Sequence, residues 1–484
     1  MFGRDGTRNA VSDELNPPLR WRVEGMERLN VKWEAELGNC RNCSTPVVAG
    51  GLVWVGTNNN RPRDPEAKQD AAVLMCFRAS DGKFLWQFLS PRLDNPFQDF
   101  PNAGLNCLPL VEYDRLYCTT NRAEVVCFDI APLHQNRGEP RLLWKLDMRK
   151  ELGVSPAGPT CPGIGFVCAI GASCRGRIYV TTGNGVGEDQ MTAPAPQAAS
   201  LLCIDQTTGK VLWSDNSPGK NILHSQWSSP LVVEVAKRVQ VIAAQGDGWV
   251  RSFDTLTGEL IWKFDTNPKS AAWKLGGRGT RNYLPATPVF HDGKVYIGNG
   301  QAELNGDGVG HLWCIDATRV PKNREKDLSP VDDNFDPNAE LNKDSGLVWH
   351  YGGPTIPGTE RRGFVFGRTM SSVVVRDGLV IAPDLDGYVH CLDAKTGKNC
   401  WTYDVRTTIV ASPLLVDGNV FIPDVDGNVS ILAATRGKKL IAQNEVEEAI
   451  HSSPAFKNGV LFLASDKKLY AIEDAEGKDK VKNK

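Results

Sequence analysis

The residues best suited to ligand recognition lie in one Gly-rich stretch, Gly276-Gly277-Arg278-Gly279-Thr280-Arg281-Asn282. Glycine allows a main chain to approach a bound group closely, and arginine offers forked donors to a carboxylate or phosphate. Arg278 and Arg281 are therefore candidate donors to an anionic or carbonyl-rich ligand, with Lys269 and Lys274 adding positive potential nearby. The same two arginines would equally suit tying down a loop through carbonyls or a local carboxylate. Asn106, Gln226, Arg281, Arg368 and His451 each precede a recurring small-small-Pro phrase. With Arg278 and Asn282 they form the candidate ligand-binding set, and no residue is assigned a catalytic or metal-binding role. His224 and His451 read as hydrogen-bonded structural histidines, because no metal-ligand spacing accompanies them.

Other motifs carry less. Asp384-Leu385-Asp386-Gly387, Asp424-Val425-Asp426-Gly427 and Asn305-Gly306-Asp307-Gly308 look like pieces of calcium loops. None has the Glu that closes such a loop six residues after the glycine, and a hairpin turn is due at the first two. Cys40-x-x-Cys43 is the only CxxC, and no second pair follows at zinc-site spacing. No nucleophile elbow, P-loop or zinc-protease motif occurs.

The elements that would position these residues announce themselves as a repeat. Each unit reads small-small-Pro-apolar-apolar, Gly-x-apolar-aromatic-apolar, apolar-x-small-apolar-Asp, then Thr-Gly-Lys-x-x-Trp. The fragments alternate like half-buried strands with turn residues between them. The third strand recurs from Leu74–Phe77 to Leu469–Glu473, which makes eight units. Four short strands per unit predict an all-β, eight-bladed β-propeller spanning 31–473. Residues 1–30 read as an N-terminal extension and 474–484 as a charged, disordered tail. The last blade lacks its fourth strand, and Val31–Leu37 fits the gap, so the ring is expected to close with an N-terminal strand. Trp33, Trp86, Trp144, Trp213, Trp262, Trp349 and Trp401 hold one fixed place in the fourth strands, with Ile441 standing there in blade 7. Regular spacing makes these tryptophans inter-blade packing. Cys76, Cys127, Cys203, Cys314 and Cys391 share a third-strand place that wants a small residue. Cys391 and Cys400 could face each other across their hairpin.

Bulk properties narrow the partners. A net charge of −2 favours neither nucleic acid nor an anionic membrane. No apolar run is long enough to span a bilayer. Thirteen cysteines leave at least one unpaired within the chain. Insertions cluster in the loops between strands two and three and between blades, which share one face.

The Thr-Gly-Lys-x-x-Trp unit after apolar-x-small-apolar-Asp resembles the repeat of PQQ-binding-like (quinoprotein-type) propellers. Asp393 to Trp401 is the best copy, and Asp205–Trp213 and Asp254–Trp262 follow it closely. The resemblance is to the group that includes the BamB-like assembly proteins. Phe2 to Asn9 resembles the opening of secreted members, where a signal segment normally precedes it. The resemblance therefore implies a periplasmic or extracellular protein. It also implies one of two roles. Scaffold members bind a protein or polymer partner through their loop-rich face and use no cofactor. Quinoprotein dehydrogenases bind PQQ and calcium and oxidise alcohols, several with an adjacent Cys-Cys pair under the cofactor. This chain has no Cys-Cys, and no calcium set matches, so the expectation is the non-catalytic scaffold without a cofactor, with the PQQ-dependent oxidoreductase as the alternative.

Overall fold

Each Thr-Gly-Lys turn is built around the aspartate that ends the third strand. Asp205 Oδ1 accepts from the Thr207 and Thr208 amides, and Asp393 Oδ1 from those of Lys395 and Thr396. The following glycine adopts a left-handed angle, φ 72° at Gly209 and 70° at Gly397. That glycine has no room for a side chain, because the preceding blade's tryptophan lies on it. A Cβ at Gly209 would meet the Trp144 ring at 2.6 Å, and one at Gly397 the Trp349 ring at 2.7 Å. The indole then donates to the same turn, from Trp144 to Gln206 O (2.9 Å) and from Trp349 to Ala394 O (2.9 Å). The motif is thus two halves of one joint: its glycine receives a tryptophan and its own tryptophan passes to the next blade.

In this computed structural model eight antiparallel sheets form a ring, and the indole bonds the next blade's turn from Trp33, Trp144, Trp213, Trp349 and Trp401, whereas Trp262 bonds Gln240 Oε1 of its own blade. The structure describes residues 3–474 except 4, 26, 41–42, 96–97, 157–169, 331–339 and 356–361. Blade 1 runs Val47–Ala49, Leu52–Asn58, Ala71–Arg78, Phe84–Pro91, and later blades repeat that order. The expected closure is present: Val31–Glu36 pairs antiparallel with Lys468–Glu473 as the fourth strand of blade 8. The Trp33 indole donates to Ala79 O of blade 1 at 3.0 Å, joining the last blade to the first.

The small third-strand residue has a direct cause. Cys76, Cys127, Cys203, Cys314 and Cys391 lie opposite Trp86, Trp144, Trp213, Trp349 and Trp401 in register, with a bulge beside each pair. A large side chain there would collide with the indole. Blade 7 inverts the pair. Ile431 lies opposite Ala442, so Ala442 and not Ile441 occupies the tryptophan place. The turn before it is one residue longer, closing Ala433 N on Lys439 O where blade 6 closes Asp393 N on Lys398 O, and that shifts the count. Cys391 and Cys400 are free thiols, Cys391 Sγ lying 3.9 Å from Thr435 O and Cys400 Sγ 3.8 Å from Arg436 Nη1.

Gly3 and the segment from Asp5 to Asn16 belong to the ring rather than trailing from it. They cross the channel end opposite the elaborated loops as a strap. Val232 N donates to Gly6 O at 3.2 Å and Phe290 N to Thr7 O at 2.9 Å. The Asn9 side chain bonds both Val375 N (3.0 Å) and Val375 O (2.8 Å), doing a strand's work. Val11–Ser12 then pairs parallel with Leu414–Val416 and makes blade 7 five-stranded. Arg8 is 2% exposed, reaches Pro230 O, and has its guanidinium lowered to about 10 by burial. Phe2 and Arg4 of the opening phrase, and the tail from 475, lie outside the described residues.

Candidate functional site at the channel mouth

Two links between blades and the Val186 loop of blade 3 meet at the other end of the channel. The link from blade 3 to blade 4 carries His224, Gln226 and Trp227, and the link from blade 4 to blade 5 carries the Gly-rich loop and Tyr283. Backbone bonds fasten them together: Val186 N to His224 O at 2.9 Å and Gly276 N to Leu223 O at 2.6 Å. His224 stacks on Tyr283 with centroids 5.4 Å apart and planes 13° apart. Trp227 stands edge-on to both, at 5.4 Å and 5.8 Å. Tyr283 is itself held, its hydroxyl accepting from Ala302 N at 2.6 Å.

The polar groups in this cluster are the unusual feature. His224 and Gln226 are 0% and 1% exposed, and among the described residues neither ring nitrogen of His224 nor either amide atom of Gln226 has a hydrogen-bond partner. Buried polar atoms are nearly always paired, and each one left alone costs about 1–3 kcal/mol. Gln301 Oε1 and Arg368 Nε are in the same condition. Burial lowers the Arg368 guanidinium, which lies near enough to Asp307 and Asp386 to feel their charge. The reading of His224 as a satisfied structural histidine is therefore corrected. It was drawn from missing metal spacing, which says nothing about hydrogen-bond partners in other blades.

The other sequence candidates fall in different surroundings. Arg281 forms a forked ion pair with Asp265 (2.6 and 3.2 Å) and donates to Asp247 O at 3.1 Å. It thus ties down the lead-in to blade 5. Asn282 is 0% exposed and links Asn299 Oδ1 and Val309 O. Arg278 is exposed, and Asn106 is half-buried in the lead-in to blade 2. His451 bonds Asp466 Oδ1 through Nδ1 at 3.0 Å. Arg368 Nη1 holds Asn305 O at 2.9 Å. Gln226 and Arg368 are thus the two candidates drawn to the aromatic cluster. Trp227 and Tyr283 were missed. One signal was available: Trp227 stands off the fourth-strand schedule, immediately before a small-small-Pro phrase.

Two further clusters deserve placing. Asp384 takes the His390 Nε2 contact at 3.1 Å and the Arg362 ion pair at 2.9 Å, while Asp424 Oδ1 accepts the Asp426 and Asn428 amides. Both aspartates close their hairpins, in keeping with turn chemistry. Among the described residues no group of three His, Cys, Asp or Glu is placed to hold a metal ion. Cys40 and Cys43 lie 2.8 Å apart, buried where the closing strand passes to blade 1.

Two predictions arise here. Arg281→Ala leaves Asp265, 5% exposed, without its main partner, and is expected to cost about 3 kcal/mol, whereas Arg278→Ala changes little. Urea unfolding of both variants checks this, and equal stabilities would show that Lys269, 3.6 Å from Asp265, replaces the lost charge. The second concerns pH. Burial lowers His224 from 6.5 to about 4, so the folded protein holds it neutral while the unfolded chain protonates it. Its contribution is whole above pH 6.5 and is lost as pH falls toward 4, by up to about 3 kcal/mol. His350, lowered to about 3, adds in the same direction. Unfolding free energies between pH 7 and 4.5 should fall steeply, and less so in His224→Gln; an unchanged slope in that variant overturns the assignment.

Comparison with known proteins places the chain in a family. The model described as "Outer membrane protein assembly factor BamB" matches residues 70–329 and 339–483, and the chain belongs to that family of PQQ-type repeat propellers. The dehydrogenase subunit of the alcohol dehydrogenase (quinone) of Gluconobacter oxydans (strain 621H) is 25% identical over 61% of this chain and 39% of its own length. Polyvinylalcohol dehydrogenase of Sphingopyxis sp. (strain 113P3) is 28% identical over 55% of this chain and 41% of its own. The chain thus spans about two fifths of the length of these relatives. Among solved structures, BamB from Moraxella catarrhalis has a TM-score of 0.59 at 13% identity, covering 92% of this chain and 99% of that one. A europium-containing methanol dehydrogenase also scores 0.59 at 13% identity, covering 96% and 88%. These two likenesses speak to the fold alone. The relatives correct the expectation of a propeller without a cofactor, since they are quinone-dependent dehydrogenases. That expectation rested on a missing Cys-Cys pair and an unmatched calcium set, neither of which tests the orphaned polar atoms at the mouth. Among the described residues no helix is long and apolar enough to cross a membrane.

Proposed function

We propose that the chain is an exported quinoprotein-type propeller that holds a planar, carboxylate-bearing quinone such as PQQ beside Trp227 and oxidises an alcohol there. The observation that carries this is the set of unpartnered atoms on His224 and Gln226 next to three aromatic rings. The residues fit such a group. Trp227, half-buried, offers an apolar platform, the Gln226 amide offers one donor and one acceptor, and Arg368 Nε a charged donor. His224, kept neutral by burial, donates through one nitrogen and accepts through the other. A bound quinone supplies a two-electron acceptor for the alcohol. Access to residues this deeply buried requires the loops around Val186, Gly276 and Ala302 to part.

The test is titration with PQQ, with and without calcium, followed by tryptophan quenching, quinone absorbance and dye-linked alcohol oxidation. Binding is expected, weakened tenfold or more in Gln226→Ala with an unchanged melting temperature. No quenching at any PQQ concentration overturns the reading. A second reading, a scaffold for a protein or polymer partner, is favoured by the family match and the loop-rich face.

A further inference from the structure

The strap shows what the inner edges of this ring bind. In a two-residue hairpin the residues flanking the turn bond each other, so the next pair turns N–H and C=O outward. On an innermost strand, outward means toward the channel. Phe290, Val375 and Leu415 hold that place, opposite Val295, Val380 and Val420, and Val232, opposite Val241 and two residues further from its turn, faces the same way. All four amides donate to the strap, to Gly6 O, Thr7 O, Asn9 Oδ1 and Ala10 O in turn. One extended segment thus crosses blades 4 to 7, spending about one acceptor on each.

Blades 8, 1 and 2 carry the same position at Phe456, Val48 and Val111, opposite Leu461, Val53 and Leu116. Among the described residues no strap residue bonds these three amides. They line a cavity of about 540 Å³ whose near wall is the strap itself, at Ala10 to Glu14. The remaining walls are largely apolar, including Pro46, Val47, Leu414 and Pro454. The charges at its rim are matched within the protein: Glu14 holds Lys457 at 3.3 Å and the Gly459 amide at 3.1 Å, and Asp13 holds Arg376 at 2.7 Å. The cavity therefore asks for main-chain acceptors and small apolar side chains rather than charge.

We propose that this half of the channel takes an extended segment of a partner polypeptide, uncharged and rich in small or β-branched residues, which bonds Phe456, Val48 and Val111 as the strap bonds the other four. The segment lies beside the strap and adds three blades to the four that the strap already serves. The site is at the opposite end of the channel from the mouth and stands whether or not a quinone binds there.

The experiment is amide hydrogen exchange on the full chain with the uncharged peptide acetyl-Gln-Val-Thr-Val-Thr-Gln-amide at millimolar concentration. Exchange of the segments holding Val48, Val111 and Phe456 is expected to slow tenfold or more, with the mouth loops unchanged. The same peptide N-methylated at both valines and both threonines, which crowds both strand edges, is expected to give no protection. Ala455→Trp fills the cavity and should abolish protection while the protein stays folded; if that variant misfolds, the N-methyl comparison decides alone. No protection at millimolar peptide overturns the proposal. Equal protection by the N-methylated peptide overturns it in favour of apolar filling without strand pairing. Protection that rises with protein concentration in the absence of peptide overturns it in favour of a second copy of this chain.

Discussion

Deleting residues 1–38 is expected to abolish soluble expression of the folded ring. The deletion removes the fourth strand of blade 8, and with it the pairing from Val31–Ile472 to Glu36–Lys468. It exposes Leu469 and Ala471, both 0% exposed in the intact protein, on an unpaired edge. It breaks the Trp33 joint, whose indole packs 5.9 Å from Phe462 and bonds blade 1 at Ala79. It also releases the strap from four innermost strands and uncovers the channel. A domain is stable by about 5–15 kcal/mol in all. Loss of a whole strand plus the strap exceeds that margin, and an open apolar edge invites association between chains. The comparison variant lacks residues 1–12 only. It keeps the closing strand, so it should remain soluble with a lowered melting temperature. Size-exclusion profiles and melting curves of the two separate closure from strapping. A monodisperse 1–38 deletion with an intact melting temperature would mean that blade 8 finds another partner strand.

What the sequence made legible was local chemistry repeated often enough to count. The aspartate-anchored turn recurs with its own amides as partners, so Asp205 and Asp393 could be read without knowing any tertiary contact. The cysteine at the third-strand place was legible as a demand for small size, though the indole lying opposite it in register was not. Blade 7 misled by one residue because an extra turn residue leaves the motif intact while moving Ala442 into the tryptophan place. The strap escaped because it has no periodicity, and Asn9 replaces a strand's backbone with its side chain. The mouth cluster escaped for a different reason. His224 and Tyr283 lie in links to different blades, and their stacking exists only once blades 3, 4 and 5 are assembled. Arg281 shows the converse. Its residue type suited a ligand, but Asp265, sixteen residues earlier, is its partner.

Gly397→Ala is expected to cost far more than Gly378→Ala, although both change a glycine to alanine in the same blade. The two glycines share a conformation, with φ 70° at Gly397 and 74° at Gly378. An alanine at either place pays about 1 kcal/mol for a left-handed backbone angle. The surroundings differ. A Cβ at Gly378 meets nothing within 4 Å, whereas one at Gly397 lies 2.7 Å from Trp349 Cδ2. Trp349 cannot simply withdraw. It is 6% exposed, its indole nitrogen is bonded to Ala394 O of that same turn, and its ring packs on Tyr296 at 5.9 Å. Moving the indole opens the joint between blades 5 and 6 and strains a packed core, which adds about 1–3 kcal/mol. Urea unfolding of the two variants should therefore give losses of about 1 kcal/mol for Gly378→Ala and about 2–4 kcal/mol for Gly397→Ala. A Trp349→Leu background tests the cause. If the indole is what the new methyl meets, the extra cost of Gly397→Ala disappears in that background, because the two sites are coupled. Equal losses in the presence of Trp349 would show that the joint yields without cost, and that the glycine is required there for its backbone angle alone.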